Sequence, residues 1–335
     1  MRRKTFGTFT GVFTPTTLTI LGVIMYIRHP WVVGNAGVLG AMAILGIAVL
    51  ITLATALSLS SITTNVKIGA GGAFSVISKS LGLEIGGAIG IPFYLAQAFA
   101  VTMYIFGFRE GVQLLLPTVN PLLLDLLTFI VVMTISLIST GFAFRTQFII
   151  LGVIVLSIGS ICGAYFVVEP VKDIQLFGTY PGTPESGFSG TSFWSVFAVF
   201  FPAVTGVMAG ANMSGDLTDP RRSIPKGTIT AVLLTAVVYL GLIFVAATIA
   251  TPEELVSNYN IFIEKSLFPP LVLAGLLGAT LSSALGSFVG APRILVALGE
   301  KQILPKGRYI SRLSSRGEPV RAMVITAVFV MLGIS

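Results

Sequence analysis

Within the apolar stretches of this sequence sit a few neutral groups that could bind ions. Thr205 lies in Val204-Thr205-Gly206-Val207-Met208, Tyr104 in Ala100-Val101-Thr102-Met103-Tyr104, and Ser282 and Ser283 in Thr280-Leu281-Ser282-Ser283-Ala284-Leu285-Gly286. Hydroxyl and phenol oxygens can ligate a cation stripped of water. Backbone groups can join them wherever a helix is interrupted. A continuous helix has no free backbone groups in its interior. A broken one exposes carbonyls at one stump, which suit cations, and amides at the other, which suit anions. Pro202 and Gly206 mark one interruption, and Gly22 in Ile20-Leu21-Gly22-Val23-Ile24-Met25 marks a second.

Charged chemistry is excluded by placement. The 13 acidic residues fall at the ends of apolar runs or between them, and only Asp125 enters one, near its start. A carboxylate at mid-membrane would cost at least ~2.5 kcal/mol. Any ion held there must therefore be held by neutral oxygens and amides. One His and one Cys remove most metal and thiol chemistry. Cys162 has no partner for an intrachain disulfide and reads as a small buried side chain. The single His29 reads as an extracellular-loop residue. With no nucleophile–base pair and no cofactor motif, neither enzyme activity nor a cofactor is expected.

The elements that must position these groups are membrane helices. Of 335 residues, 54% are hydrophobic and 10% charged, with a mean hydropathy of +0.96; soluble domains carry about 25% charged residues. Spans of about 20 apolar residues are read near 9–33, 39–63, 85–116, 121–140, 144–168, 191–213, 225–250, 267–298 and 318–335, about nine in all and all helical. The start, MRRKTFGTFTG, lacks a signal-peptide cleavage site, so the first run reads as a retained span. Only Arg28, Arg109, Lys172 and Lys265 of the 20 Lys and Arg fall on one side; the rest fall on the other. That bias places the N-terminus and the loops around 64–83, 141–146, 214–224 and 299–317 in the cytoplasm, and the loop 169–190 outside. It also explains the net charge of +7 without nucleic acid.

The two interruptions fall in spans one and six. Matching interruptions in two halves point to a transporter built from inverted repeats, although glycines that let helices pack closely would look the same. Blander readings stand beside the other groups too. The span-eight hydroxyls could bond the carbonyl one turn back, and Tyr104 could make an interhelical hydrogen bond. Gly69, Gly71 and Gly72 lack the Lys-Ser/Thr of a phosphate cradle and read as a tight re-entrant turn. Asp216 and Asp219 read as caps of the helix near Pro220, paired with Arg221 or Arg222.

The segment VFAVFFPAVTGVMAGANMSGDLTDPRRSIPKGT (196–228) closely resembles the sixth span and following loop of cation-chloride cotransporters. So do TILGVIMYIRHPWVVGNAG (19–37), residues 62–90, MYIFGFREGV (103–112) and residues 279–305, so the resemblance runs over nearly the whole chain. It implies an all-α polytopic membrane protein of the amino acid–polyamine–organocation fold, also called LeuT-like, with inverted repeats and broken helices 1 and 6. The chain would then be a single transport domain over 1–335, with a first repeat of about 9–168 and a partial second repeat of about 191–335, and without a tenth span or a C-terminal cytoplasmic domain. The implied activity is electroneutral symport of chloride with sodium, potassium or both. Carried over, potassium would meet the carbonyls of Ile20 and Pro202, the Thr205 hydroxyl, the Tyr104 phenol and Thr19, where the family usually has Asn. Sodium would lie between the carbonyls of Leu18 and Leu21 and span eight at Ala279, Ser282 and Ser283. One chloride would meet the amides of Gly22, Val23 and Ile24, the other those of Gly206, Val207 and Met208. The Ser282-Ser283 pair with Tyr104 favours the sodium-potassium-chloride type. The expected partners are the lipid bilayer of the plasma membrane and inorganic ions, with a homodimer as a candidate assembly. An amino-acid permease of the same fold and a non-transporting truncated fragment are the alternatives.

Overall fold

The computed structural model describes residues 6–65, 71–138, 140–183, 187–212, 214–315 and 317–335. Gly69 of the expected turn and the N-terminal Arg2, Arg3 and Lys4 lie outside the described residues. Fifteen α-helices follow in order: α1 (Thr14–Ile20), α2 (Val23–Ile27), α3 (His29–Asn65), α4 (Gly72–Leu81), α5 (Leu83–Gln113), α6 (Pro121–Ile138), α7 (Thr140–Cys162), α8 (Phe193–Phe200), α9 (Met208–Asn212), α10 (Pro220–Ile249), α11 (Pro252–Ser257), α12 (Ile261–Glu264), α13 (Pro269–Glu300), α14 (Gly307–Ile310) and α15 (Val320–Ile334). Among the described residues, seven stretches are long and apolar enough to cross a membrane, and Pro121–Leu137 and Val320–Ile334 are shorter apolar helices. Together they fall where the nine expected spans lie. The fold is the all-α inverted-repeat transporter architecture with its first and sixth spans broken.

Span one (Phe9–Ile27) and α13 form the centre of the bundle. The largest core cluster wraps span one with Tyr26, Tyr239, Phe200 and Phe262, all essentially inaccessible. Outward faces are lined by leucine, isoleucine and phenylalanine, as in Leu50, Ile149, Leu156 and Val237; a bilayer replaces water as the solvent for them.

The expected first span ran to residue 33. Its helix stops at Ile27, and α3 starts at His29. The α3 helix is itself opened at Gly37, whose φ of 70° and ψ of 175° lie outside the helical region. The loop after α7 docks into this opening through backbone bonds. Val38 and Leu39 amides donate to the Gln175 and Leu176 carbonyls, and the Gly178 and Tyr180 amides donate to the Ala36 and Asn35 carbonyls. A side chain at Gly37 would run into the 176–178 backbone at 2.7–2.8 Å. The same loop carries a small hairpin, β1 (Gly182–Thr183) paired with β2 (Phe188–Ser189).

Three further expectations are corrected. Cys162, read as buried, is exposed at the C-terminal end of α7, on a face that no other helix covers. His29 is fully buried at the start of α3, ringed by Phe200, Tyr239 and Phe262; rings from three other helices, α8, α10 and α12, close over it, so it is not a loop residue. Asp216 pairs with Arg293 of α13 at 2.9 Å rather than with Arg221 or Arg222. Asp219 does cap α10, accepting from the Arg222 amide. Gly71 and Gly72 have φ of 109° and 52° and turn the chain into α4, as a tight turn requires.

Candidate functional site: the cavity between two helix breaks

Span one breaks at Leu21, which leaves the helix with φ −79° and ψ 52°, followed by an extended Gly22. The break strips the helix ladder on both sides. The carbonyls of Leu18, Thr19 and Leu21 and the amides of Gly22, Val23 and Ile24 receive or make no backbone bond. Among the described residues, of the four carbonyls from Leu18 to Leu21 only that of Ile20 finds a partner, the Tyr239 hydroxyl of α10, which donates to it at 2.8 Å.

Span six breaks differently. After α8 comes a 3-10 turn, Phe201–Val204, and then a two-residue turn before α9. The Thr205 amide and hydroxyl both donate to the Pro202 carbonyl, at 3.3 and 2.8 Å. The Val207 amide donates to the Thr205 carbonyl at 2.9 Å. The amides of Gly206 and Met208 remain without backbone partners. Gly206 packs directly on span one: a Cβ there would sit 2.8 Å from Thr19 Cβ and 3.1 Å from Ile20 Cγ1. Only a glycine lets the two breaks touch.

Between the breaks lies a cavity of about 220 Å³. Of the expected potassium set, Thr19, Ile20, Tyr104, Pro202 and Thr205 all line it. Gly22, Val23 and Ile24, with Gly206 and Met208, line it as well. Val207 does not, and its amide is committed to the turn. No lining residue is charged. The Thr19 hydroxyl donates to the Pro15 carbonyl and the Thr205 hydroxyl to the Pro202 carbonyl, at 2.8 Å each. Spending their protons on the backbone leaves the oxygen lone pairs of both to accept a ligand. Tyr104 is half-buried, with no hydrogen bond to its phenol among the described residues. The interhelical bond read as its bland alternative is therefore not formed.

None of the expected sodium residues lines this cavity. Leu18, Leu21, Ala279, Ser282 and Ser283 are all buried. Ser283 Oγ faces the span-one break, 4.0 Å from where a Cβ on Gly22 would sit. The span-eight hydroxyls divide sharply. Thr280 bonds back to the Leu276 and Leu277 carbonyls at 3.0 and 2.9 Å. Ser282 and Ser283 have no partner among the described residues, although both are buried. A buried hydroxyl left unpaired costs about 1–3 kcal/mol. Two such hydroxyls in succession, one of them beside the span-one break, could be satisfied by a desolvated cation.

Several groups at the site went unread in the sequence. Gln97, Asn212 and Ser287 line the cavity. Gln97 was findable as a neutral polar residue in mid-span. Thr14, Thr16 and Thr17 extend the buried, unpartnered hydroxyls along α1. Arg109 and Asp125 form an ion pair at 2.6 Å between α5 and α6, with Asp125 2% exposed. Tyr239 had no motif to flag it.

Residues 11–334 match the amino acid permease family model. The chain belongs to the amino acid permease family. Among curated proteins this permease-family chain is 37% identical to solute carrier family 12 member 2 of Squalus acanthias, over 98% of the chain and 32% of the relative. The human member 2 is 35% identical over 96% of the chain. Solute carrier family 12 member 1 of Rattus norvegicus is 33% identical over 97% of the chain and 35% of the relative. The chain thus spans about a third of the length of the relatives it matches. These relatives are named as solute carriers, and the similarity covers the segments that carry the cation-chloride cotransporter resemblance.

Proposed function

We propose that this chain is the ion-binding core of a secondary active symporter that couples chloride to sodium and potassium without net charge movement. The observation that carries the reading is the uncharged cavity where neutral oxygens of Thr19, Tyr104 and Thr205 face freed amides of Gly22, Val23, Ile24, Gly206 and Met208. Such a lining supplies partial negative charge on one wall and partial positive charge on the other. A cation and a chloride bound together each lower the desolvation cost of the other, and neither alone has a counter-charge to lean on.

In this reading potassium sits among Thr19, Ile20, Tyr104, Pro202 and Thr205. Sodium sits among Leu18, Leu21, Ala279, Ser282 and Ser283. One chloride meets the Gly22–Ile24 amides, and the other meets Gly206 and Met208, with Val207 closing the turn beside them. The two repeats run over about 9–168 and 191–335, the N-terminus is cytoplasmic, and the protein resides in the plasma membrane. The sodium-potassium-chloride type is favoured because both the Ser282-Ser283 pair and Tyr104 have uncommitted oxygens.

Uptake of radioactive rubidium tests the proposal. It should require both sodium and chloride, and uptake indifferent to their removal would end it. Tyr104→Phe should raise the half-saturating rubidium concentration roughly tenfold, the worth of one ligand at about 1.4 kcal/mol, with little change for sodium. Ser283→Ala should do the reverse. Equal effects on both ions would refute separate sites. A second reading, transport of a small amino acid, is favoured by the family model's description. It would hold the substrate carboxylate at the same amides and predicts inhibition of rubidium-independent flux by amino acids.

A further inference from the structure

Breaking a helix frees carbonyls, and in span one the freed carbonyls are not equivalent. Those of Leu18, Thr19 and Leu21 have no backbone donor. That of Ile20 accepts the Tyr239 hydroxyl at 2.8 Å. Tyr239 comes from α10, distant in sequence, and its ring is fully buried. His29 of α3 packs on that ring at 5.2 Å and Phe200 of α8 at 5.5 Å, both edge-on. Three elements therefore fix where the hydroxyl points.

We infer that Tyr239 is a positioning residue for the potassium site, setting the location and direction of the Ile20 carbonyl oxygen. The inference rests on the symport reading, in which Ile20 contributes to that site. A carbonyl oxygen has two lone pairs. Tyr239 occupies one, which leaves the second for a cation in the cavity that Ile20 lines. Without the hydroxyl, nothing among the described residues holds this oxygen: its helical partner would be the Ile24 amide, which lies beyond the break on α2. The same bond ties broken span one to span seven, so cation occupancy and the placement of α10 become linked. The tether reaches the Ile20 carbonyl alone: Leu18 and Leu21 share span one but their carbonyls make no bond to Tyr239, Ser282 and Ser283 lie on α13, and the chloride amides lie at and just after the two breaks, so neither a sodium nor a chloride group is held by this bond.

The test is Tyr239→Phe, which keeps the ring against His29 and Phe200 and removes only the hydroxyl. Rubidium uptake at equal surface expression should show a five- to tenfold higher half-saturating rubidium concentration. Sodium and chloride dependence and the maximal rate per surface molecule should stay within twofold. A merely structural role would lower surface amount or maximal rate, or move all three ions together, and either result overturns the inference, as does an unmoved rubidium dependence. Tyr239→Leu serves in the same comparison if the Phe variant stays inside the cell. A second readout needs no transport. Potassium chloride should raise the melting temperature of the purified wild type more than sodium chloride does, and Tyr239→Phe should lose that difference. Wild-type uptake that ignores chloride would refute the symport reading. Chloride-dependent wild-type uptake with an unaltered Tyr239→Phe would refute only the role of Tyr239.

Discussion

The two helix breaks share a purpose and differ in construction. In span one the change of direction takes two residues, and 72% of its most apolar 18-residue stretch is buried inside the bundle. In span six the chain spends a 3-10 turn and a two-residue turn, and only 39% of the corresponding stretch is buried. Span one exposes three amides in a row, whereas span six commits its middle one, Val207, to holding its own turn. Span one is braced from outside by Tyr239; span six is braced from within, by Thr205 on Pro202. A break enclosed by the bundle can leave its backbone groups open because neighbours hold its shape. A less covered break must use some of those groups to hold itself.

The largest expected effect separates the glycines at the two breaks. Gly206→Val places side-chain atoms into Thr19 and Ile20. Overpacking of this kind costs about 1–3 kcal/mol, so rubidium uptake should fall by roughly tenfold or more. Gly22→Ala meets the Thr19 carbonyl at 3.1 Å and Ser283 Oγ at an ordinary 4.0 Å and should retain most activity. Equal losses would mean that the breaks do not depend on their contact. Next come the amides. Val23 is the first residue of α2, where proline is tolerated, and the extended Gly22 before it suits a following proline. Val23→Pro should delete one chloride donor and raise the half-saturating chloride concentration roughly tenfold. Val207→Pro removes the turn bond instead and should reduce the amount of folded protein with chloride dependence unchanged. A chloride shift in the Val207 variant would make the breaks alike after all.

The smallest effect concerns the short α11–α12 segment near span one. Lys265 donates to Glu254 at 2.7 Å, and this bond holds the Glu254 carboxyl below its usual range. A lowered carboxyl pKa stabilises above the unfolded value and loses that contribution as pH falls through the folded value. Thermal stability should therefore be insensitive to this pair from pH 8 down to 5 and should weaken only below that. The pair is partly exposed, so Lys265→Ala should cost under about 1 kcal/mol and remove the acid-side decline attributable to Glu254.

What was legible in the sequence was what a single helix decides by itself. Pro202, Gly206 and Gly22 announced both breaks because helix geometry excludes or disfavours them locally. Hydroxyls in span eight were visible, but their division was not: Thr280 bonds back along its own helix, while Ser282 and Ser283 are buried without a partner among the described residues and Ser283 Oγ lies beside Gly22 of span one. Pairings between helices stayed hidden. His29 looked like a loop residue because a buried ring at position 29 depends on three neighbours distant in sequence, Phe200, Tyr239 and Phe262. Tyr239 on Ile20, Arg109 with Asp125 and Arg293 with Asp216 join residues from 16 to 219 positions apart, and no local pattern encodes such partners. Val207 failed for a different reason. Its amide lies among the expected anion donors, and only the backbone path shows that a carbonyl two residues back has claimed it.

The opening of α3 at Gly37 has a consequence for how this loop can change over time. The loop is gripped by peptide groups at Gln175, Leu176, Gly178 and Tyr180. A grip made of main chain is blind to most side-chain identities. Homologues should therefore vary freely in what residues 175–180 are while keeping their number and path, with small residues enforced only where chain meets chain, at Gly37 and Gly178. Drift in composition beside constancy in length would be the mark of a clasp rather than a recognition surface.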